Sequence, residues 1–558
     1  MAIPSYLSGI SDKPLLGETI GRFFDNICAT YPDHPALISR HQKIAWTYAA
    51  LQSRVNHLAV GLLKLGLTKG DRLGIWAPNC WEWIVTQYAT AKLGVILVNI
   101  NPAYRRVEVE YALNKVACKA LITIPHFKTS DYIAILRETA PELANAQPGA
   151  LAASRLPALR SIITLGEEAH AGCLRFTDLL QMGAQTDHAL LENIGADLQF
   201  DDPINIQFTS GTTGAPKGAT LTHHNILNNG FFVGEAIGLQ SHDKVCAPVP
   251  LYHCFGMVMA NLACLTHAAC VVYPSEAFDP LAVLQAVEAE KCTALYGVPT
   301  MFITMLGHPE FSQFDLNCLR TGIMAGSPCP IEVMKQVVSQ MHMRAVTIAY
   351  GMTETSPVSF QSSMDSPLEQ RVATVGKIHP HLESKIIDST GKILPRGETG
   401  EICTRGYSVM HGYWNEPERT KEVLDDDGWM HTGDLGVIND DGYCTIVGRI
   451  KDVVIRGGEN IYPREIEEFL YKHPQIQDVQ VFGVPDQKFG EELCAWVILK
   501  ADGKIDAEAL RRFCHGQIAH YKIPKYFHFV DSFPMTVTGK IQKFVMRENM
   551  SHILDSSG

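Results

Sequence analysis

The spacing of apolar residues near the beginning of the chain predicts two helices. The first helix carries one apolar stripe, formed by Ile20, Phe23, Phe24, Ile27, Cys28 and Tyr31. These positions follow the helical period, and Pro32 ends the pattern. The second helix is expected to begin after the N-cap candidate Thr47 and to end near Gly66. Both helices are interpreted as structural.

Further along, apolar runs of strand length alternate with helical patterns. Residues 72–77 and 95–99 are predicted strands, and a helix around Trp81–Leu93 joins them. The same alternation returns in the segment 281–350. Strands and helices that alternate in this way are typical of a parallel sheet with helices on its faces. The segment 141–156, rich in Ala and Pro, is expected to be a surface insertion or loop.

The pattern changes twice in the last third of the chain. From Glu383 onward, short strands are separated by turns, which predicts a small β subdomain. After Arg449, helices at 463–471 and 507–520 accompany strands, which predicts a small α+β domain. We therefore expect an α/β fold with a large N-terminal domain of mostly parallel sheets and helices, plus the β subdomain, at residues 1–449. A small, mobile α+β domain is expected at residues 450–558.

Composition agrees with an ordinary folded protein of more than one domain. The chain has 558 residues, of which 46% are hydrophobic and 19% charged, and a single core rarely grows to that length. The formal net charge of -12 argues against a broad nucleic-acid interface, which needs a basic surface. An anionic ligand must instead meet positive charge at a few placed residues.

The sequence indicates a cytoplasmic protein without a membrane-spanning segment. Acidic Asp12 and Glu18 precede the first arginine, so no basic export or organelle signal is expected. The long apolar region at 245–273 contains histidines, an asparagine and prolines, which favours buried core over a membrane helix. The 15 cysteines form no C-x-x-C pair and are interpreted as reduced packing thiols.

One loop has the composition of a phosphate-binding site. Three glycines and four hydroxyl residues lie directly after the apolar run 204–208, in the stretch Thr209, Ser210, Gly211, Thr212, Thr213, Gly214, Ala215, Pro216, Lys217 and Gly218. Glycine lets backbone N–H groups converge on an anion, and Lys217 adds a mobile charge. Because Lys217 precedes Gly218 rather than Ser or Thr, the loop is not a Walker A sequence and a P-loop NTPase is disfavoured.

Four later stretches, read in order with this loop, resemble the adenylate-forming superfamily of acyl-CoA synthetases, peptide-synthetase adenylation domains and beetle luciferases. They are Tyr350-Gly351-Met352-Thr353-Glu354-Thr355, Thr432-Gly433-Asp434-Leu435, Gly448-Arg449-Ile450-Lys451-Asp452 and Thr538-Gly539-Lys540-Ile541. The resemblance covers most of the chain. Its N-terminal half most resembles medium-chain acyl-CoA synthetases of the family member 2 type.

The resemblance implies an AMP-forming acid–thiol ligase that uses ATP, CoA and Mg²⁺. Such an enzyme adenylates a medium- or long-chain fatty acid, or a related carboxylic acid, and releases pyrophosphate. It then transfers the acyl group to CoA and releases AMP. Residues 1–449 would be the AMP-binding adenylation domain and residues 450–558 the lid, in a monomer or homodimer.

The resemblance also assigns roles to single residues. Lys540 would act in catalysis, with Glu354 as the magnesium ligand and Thr353 on phosphate. The phosphate loop would bind ATP together with Gly326, Ser327, Pro328, Tyr350, Gly351, Met352, Asp434 and Arg449. Lys451 would be the hinge, and CoA would pass along Arg456, Gly457, Gly458 and Glu459. The acyl pocket would be walled by His253, Phe255 and Met257.

Plainer interpretations remain open for several of these residues. Glu354 could be a solvated turn residue, Asp434 and Arg449 a structural salt bridge, and Lys540 an ordinary exposed lysine. Tyr350 and the proposed acyl-pocket residues could be core. The alternatives for the whole chain are an enzyme that loads a separate acyl carrier protein, a luciferase-type oxygenase, and a non-catalytic nucleotide-binding relative.

Overall fold

A computed structural model describes residues 3–184, 189–209, 216–501, 503–536 and 541–557. Two large sheets, one small antiparallel sheet and a separate C-terminal sheet organise these residues. No helix in the described ranges is both long and apolar enough to cross a membrane. The fold class predicted from the sequence is confirmed.

The first large sheet carries the predicted phosphate loop. Its eight strands lie in the order Leu174–Arg175, Ser161–Thr164, Ala120–Thr123, Arg72–Trp76, Ile96–Asn99, Pro203–Thr209, Lys217–Thr222 and Gly412–Tyr413. The first six strands run parallel, and the last two are added in antiparallel pairs. The phosphate loop therefore connects two antiparallel neighbours at one side of a parallel sheet.

The second large sheet has nine strands and a parallel centre. Their order is Lys377–Ile378, Val358–Gln361, Ala345–Gly351, Thr321–Ala325, Ala294–Gly297, Lys244–Cys246, Cys270–Tyr273, Pro35–Ser39 and Ile44–Thr47. Apolar side chains from both large sheets and the helices between them form one continuous core. That core holds the strand ends that carry the candidate site in fixed positions.

A small antiparallel sheet forms the predicted β subdomain. Its strands are Tyr6–Ser8, Leu382–Ile387, Gly400–Gly406, Met430–Ile438 and Cys444–Arg449. Tyr6 pairs with Lys385, so a strand from the beginning of the chain forms one edge of this sheet. The sequence pattern did not predict that strand. A two-stranded hairpin, His126–Phe127 with Ser130–Asp131, stands apart from these sheets.

The residues after the turn Ile450–Asp452 form their own sheet and core. The strands are Val454–Arg456, Glu459–Ile461, Ile476–Asp486, Gly490–Leu499 and Tyr526–Phe529. Two apolar clusters, one under Ile466 and Leu470 and one around Phe482 and Trp496, lie on this sheet. The small α+β unit predicted from the sequence is thus present.

Helices cover the sheets at positions close to those predicted. The α-helices are Ile20–Thr30, Tyr48–Lys64, Trp81–Leu93, Arg106–Lys115, Tyr132–Thr139, Phe176–Ala184, Ala189–Ala196, His223–Ala236, Ala263–Thr266, Pro280–Glu290, Pro299–Leu306, Ile331–Gln340, Leu368–Ala373, Pro417–Lys421, Pro463–Leu470, Ala507–Cys514 and Lys543–Ser557. Phe255–Leu262 is a π-helix. Short 3₁₀ turns lie at Pro141–Asn145, Phe311–Gln313, Thr353–Thr355, Ile450–Asp452 and His520–Lys522.

Two predictions about local structure were wrong. The segment 141–156 is not a purely surface loop, because Leu143, Leu151 and Leu156 are buried in a second apolar cluster beside the first large sheet. The helix predicted at 507–520 ends at Cys514, and Gly516 follows with φ +74°. A positive φ at glycine close after a helix is a common way to end it.

Candidate active site

The base of the phosphate loop is closed by a strand pair. Thr209 and Lys217 are register partners at the ends of their antiparallel strands. The carbonyl of Pro216 accepts a hydrogen bond of 3.1 Å from the hydroxyl of Tyr111. The predicted loop residues Ser210, Gly211, Thr212, Thr213, Gly214 and Ala215 lie outside the described residues. Their role therefore stays a prediction.

Glu354 lies in the 3₁₀ turn after a strand of the second large sheet, and only 5% of it is exposed. Its Oε1 accepts a hydrogen bond of 2.8 Å from the hydroxyl of Tyr413. That hydroxyl in turn accepts a hydrogen bond of 2.9 Å from Lys217 Nζ. The lysine of the phosphate loop and the predicted magnesium ligand are thus joined through one tyrosine.

Tyr413 had not been predicted as a site residue. It enters the site because Gly412–Tyr413 pairs with the strand that begins at Lys217. Burial, followed by the neighbouring Glu354 carboxylate, raises the pKa of its hydroxyl, so it stays protonated and can donate to Glu354. A neutral tyrosine carries no charge or spacing signal, so only the fold reveals it.

Asp434 is the centre of a second polar cluster. Its Oδ2 accepts a hydrogen bond of 2.7 Å from the hydroxyl of Tyr350, and its Oδ1 lies 3.2 Å from Arg449 Nε. Asp434 and Arg449 are cross-strand partners in the small sheet. Burial raises the pKa of Asp434, and Arg449 opposes that shift. The structure therefore brings together three residues that are distant in sequence.

Lys451 follows Arg449 by two residues, in the turn Ile450–Asp452. Burial and then the charge of Arg449 lower its pKa, and the charges of Asp434 and Lys217 also act on it. Charged groups from both the phosphate-loop side and the Asp434 side therefore act on this ammonium group. Lys451 sits in the turn that leads from the small sheet to the C-terminal unit.

The remaining residues predicted for nucleotide binding lie at or just after the ends of two neighbouring strands of the second large sheet. Gly326, Ser327 and Pro328 follow the strand Thr321–Ala325, and Gly326 has φ +92°. Gly351 ends the strand that contains Tyr350, and Met352 is the N-cap of the turn with Thr353 and Glu354. The loops at the ends of parallel strands are where ligands bind in α/β folds.

The predicted acyl-pocket residues lie at the start of the π-helix. Phe255 stacks on Tyr296, with ring centroids 5.9 Å apart. Met257 is 1% exposed, and its sulfur accepts hydrogen bonds of 3.3 Å from the amides of Asn99 and Gln207. The surroundings of Met257 are thus partly polar. His253, half-buried, precedes the helix, and its Nδ1 accepts from the Phe255 amide.

The predicted CoA-binding residues belong to the C-terminal unit. Gly457 and Gly458 form the tip of a hairpin with positive φ, between the strand partners Arg456 and Glu459. A guanidinium nitrogen of Arg456 lies 3.0 Å from a carboxylate oxygen of Glu492. Within the described parts of the chain, no hydrogen bond or ion pair joins this hairpin to the Glu354 cluster. Lys540 lies outside the described residues.

The described site can hold a polyanion and a cation. Lys217, Arg449 and Lys451 supply positive charge, and Glu354 supplies a buried carboxylate oriented by a hydroxyl donor. A buried carboxylate is costly unless it is hydrogen-bonded or shares a cation. The arrangement is suited to a phosphate ligand with its counter-ion.

Comparisons with protein families and curated proteins agree with this geometry. The AMP-binding enzyme family matches residues 24–414, and the AMP-binding enzyme C-terminal domain matches residues 465–540. The chain is 46% identical over 547 residues to the "Medium-chain acyl-CoA ligase ACSF2, mitochondrial" of Danio rerio, covering 98% of this chain and 90% of that protein. It is 47% identical to the "Putative acyl-CoA synthetase YngI" of Bacillus subtilis, covering 97% and 99%.

Two solved structures of ligand-bound proteins are also similar to this chain over nearly its whole length. The anthranilate CoA ligase AuaEII in complex with anthranoyl-AMP has a TM-score of 0.85 at 26% identity, covering 98% of this chain and 99% of that chain. ATP-bound MatB from Rhodopseudomonas palustris has a TM-score of 0.81 at 30% identity, covering 96% and 99%.

Proposed function

Because this chain belongs to the AMP-binding enzyme family, we propose that it is an ATP-dependent acyl-CoA ligase that activates a medium- or long-chain carboxylic acid. It is an acid–thiol ligase of the AMP-forming type. The observation that carries the proposal is the link from Lys217 through Tyr413 to Glu354, beside the Asp434 cluster.

The reaction has two steps at one site. In the first step, an oxygen of the substrate carboxylate attacks the α-phosphorus of ATP, the bond to the bridging oxygen breaks, and pyrophosphate leaves. In the second step, the thiol sulfur of CoA attacks the acyl carbon of the acyl-adenylate and loses its proton, and AMP leaves. The thioester is the product.

The first step brings two anions together, so positive charge must be placed in advance. We assign Lys217 and the phosphate loop to the phosphates of ATP, with Thr353 as a further hydroxyl donor. Lys540, from the C-terminal domain, would neutralise the substrate carboxylate and the α-phosphate. Donors fixed before the reaction lower the barrier because they need no reorganisation as charge develops.

The nucleoside is assigned to the second cluster. Asp434 would accept hydrogen bonds from the ribose hydroxyls, and Arg449 would hold Asp434 in place. Adenine would lie against Tyr350 and the backbone of Gly326, Ser327, Pro328, Gly351 and Met352. The hydrogen bond between Tyr350 and Asp434 supports this arrangement, because it fixes the aromatic ring beside the carboxylate.

The residues around Glu354 fit Mg²⁺. This ion binds to one or two carboxylates together with phosphate oxygens, and Glu354 is a buried carboxylate with a hydroxyl donor on one of its oxygens. We therefore assign Glu354 as its ligand. Bound there, Mg²⁺ would neutralise phosphate charge.

The second step needs other groups at the same place. We propose that residues 1–449 form the adenylation domain, that residues 450–558 form a lid, and that the lid turns about Lys451 between the steps. The turn would remove Lys540 and bring the hairpin of Arg456, Gly457, Gly458 and Glu459 to the site as the CoA channel. The position of Lys451 between the two sheets supports its role as hinge.

The acyl group is assigned to the segment of His253, Phe255 and Met257. Phe255 offers an apolar face, and the π-helix is a rare element that often occurs at functional sites. A cytoplasmic location and a monomeric or homodimeric state complete the proposal. The curated relative of Danio rerio carries the word mitochondrial in its name.

Pyrophosphate release across a panel of carboxylic acids, with and without CoA, tests the proposal. We expect release with straight-chain acids, faster turnover when CoA is present, and an acyl-CoA product by mass spectrometry. A single burst of pyrophosphate without CoA-dependent turnover would favour loading of a carrier protein. No pyrophosphate with any acid would reject the ligase.

A further inference from the structure

A group of potential metal ligands lies on the outer face of the small antiparallel sheet. Cys403 and His431 are cross-strand partners, and Glu401 lies two residues before Cys403 on the same strand. Residues two apart on a strand point to the same face. The ligand atoms of the three side chains all lie within 4.8 Å of one another.

The distances match a tetrahedral site. His431 Nδ1 lies 3.7 Å from Cys403 Sγ and 3.2 Å from Glu401 Oε2. Bonds of about 2.3 Å to sulfur and about 2.0–2.1 Å to nitrogen or oxygen place neighbouring ligands of a tetrahedral zinc ion about 3.3–3.6 Å apart. The two distances from His431 Nδ1 are close to these values, and the sulfur and the carboxylate oxygen lie within 4.8 Å of each other.

A backbone amide orients Glu401, and a further carboxylate lies near His431. Glu401 Oε1 accepts a hydrogen bond of 3.1 Å from the Gly433 amide, which leaves Oε2 directed at His431. The other ring nitrogen of the histidine, Nε2, lies 3.8 Å from a carboxylate oxygen of Asp425. A metal-binding histidine usually donates the hydrogen of its second ring nitrogen to a carboxylate, and Asp425 lies within ion-pair distance of that nitrogen.

We propose that Glu401, Cys403 and His431 bind one Zn²⁺, with Asp425 as the outer carboxylate and water as the fourth ligand. Sulfur and imidazole ligands select zinc over magnesium, which prefers oxygen. The side chains of His431 and Glu401 are 33% and 21% exposed, so the ion can enter from solvent. Within the described ranges, no other group of three such side chains brings its ligand atoms this close together.

The site is separate from the magnesium site assigned to Glu354 but is connected to the nucleotide site by the chain. His431 and Asp434 lie on the same strand, three residues apart. A bound zinc ion would link this strand to Gly400–Gly406. It would thereby restrict the motion of Asp434, whose carboxylate is assigned to bind ribose. The proposal concerns zinc binding itself, so it can be tested whether or not the ligase assignment is correct.

The test uses the full chain without an affinity tag, after removal of metals with a chelator. Zn²⁺ is titrated in competition with a chromogenic chelator, and Co²⁺ is added separately to detect thiolate ligation by its charge-transfer absorption. We expect one tight equivalent of zinc and a thiolate–cobalt band. Cys403→Ser is expected to lose both, and Asp425→Asn to bind zinc about 10- to 100-fold more weakly.

Cys444→Ser is the matched control, because Cys444 is buried in the same sheet but packs in the main core. It is expected to keep the zinc equivalent and the cobalt band. Glu401→Gln, a change of nearly equal size, provides a second variant if Cys403→Ser does not fold, and it should also weaken zinc binding. Equal zinc binding by wild type and Glu401→Gln, or a cobalt band that persists in Cys403→Ser, would overturn the proposal.

Discussion

At the scale of single residues, the site depends on Tyr413, which contacts both Lys217 and Glu354. We expect Tyr413→Phe to lower kcat/KM for ATP about 10- to 100-fold. A hydrogen bond to a charged group is worth about 1.5–3 kcal/mol, and each 1.4 kcal/mol corresponds to about a tenfold change in rate. Pyrophosphate release under varied Mg²⁺ measures the effect, and the Mg²⁺ requirement should rise.

Tyr443→Phe is the control for that change. Tyr443 is also buried, but its hydroxyl donates to a neutral partner, Ser366, at 3.2 Å. It should retain wild-type kcat/KM. Unchanged kcat/KM in Tyr413→Phe would show that the hydroxyl does not orient Glu354 for the reaction.

The sequence predicted the charged residues of the candidate site and Tyr350, but not Tyr413 or Tyr111. Glu354, Asp434 and Arg449 stand in recognisable motifs, and the structure pairs Asp434 with Arg449. Tyr413 and Tyr111 could not be predicted, because each contributes only a hydroxyl that reaches the site through strand pairing or helix packing. Contacts of that kind are set by the whole fold.

At the scale of elements, the turn that carries Glu354 depends on Gly351. A Cβ at this position would lie 1.9 Å from the carbonyl oxygen of Pro357. We expect Gly351→Ala to shift the backbone, to destabilise the protein by about 1–3 kcal/mol and to slow adenylation. The melting temperature and pyrophosphate release measure the two effects.

Gly195→Ala is the matched control for that substitution. Gly195 lies in the helix Ala189–Ala196, and a Cβ there meets nothing within 4 Å. Alanine favours a helix over glycine by up to about 1 kcal/mol, so the melting temperature should rise or stay constant. A melting temperature of Gly351→Ala equal to that of wild type would contradict the expected clash.

Elements with strong local patterns were predictable, whereas elements made by distant pairing were not. The stripe from Ile20 and the N-cap at Thr47 gave the bounds of two helices within a few residues. The strand Tyr6–Ser8 carries no such pattern, because its partner lies far along the chain. The π-helix at Phe255–Leu262 was also missed, since its apolar composition fits an ordinary buried segment.

At the scale of the whole molecule, two buried histidines make stability depend on pH. Burial lowers the pKa of His223 and of His379 to about 3. Between about pH 6.5 and about pH 3 the unfolded chain binds protons that the folded chain does not, so stability falls as pH falls. Each histidine contributes up to about 1.4 kcal/mol per pH unit in that window.

Melting temperatures at about pH 7 and about pH 5.5 test this dependence. We expect the melting temperature of His379→Gln to fall less than that of wild type when the pH is lowered from about 7 to about 5.5. His126→Gln, at an exposed histidine, is the control and should match wild type. If the melting temperature of His379→Gln fell as much as that of wild type, the result would argue against a neutral buried imidazole at His379.

The proposed two-step reaction predicts that a substitution at Lys540 in the C-terminal domain slows the first step much more than the second. We expect Lys540→Ala to slow formation of the acyl-adenylate about 10²- to 10³-fold, because one placed charge is lost. Transfer from preformed acyl-adenylate to CoA should be largely unaffected, since in the proposed mechanism the lid has turned and removed Lys540 before that step. Lys500→Ala, at an exposed lysine of the same domain, is the control. An equal loss of rate in both steps would reject the proposal that the lid turns between them.

The edge strand of the small sheet also constrains how the protein is made. Tyr6–Ser8 leaves the ribosome hundreds of residues before Leu382–Ile387, with which it pairs. Domains generally fold in the order of synthesis. The strand Tyr6–Ser8, however, stays without its partner strand during most of translation. The nascent N-terminal domain therefore cannot complete this sheet until the strand Cys444–Arg449 has been made, when 449 of the 558 residues have been added.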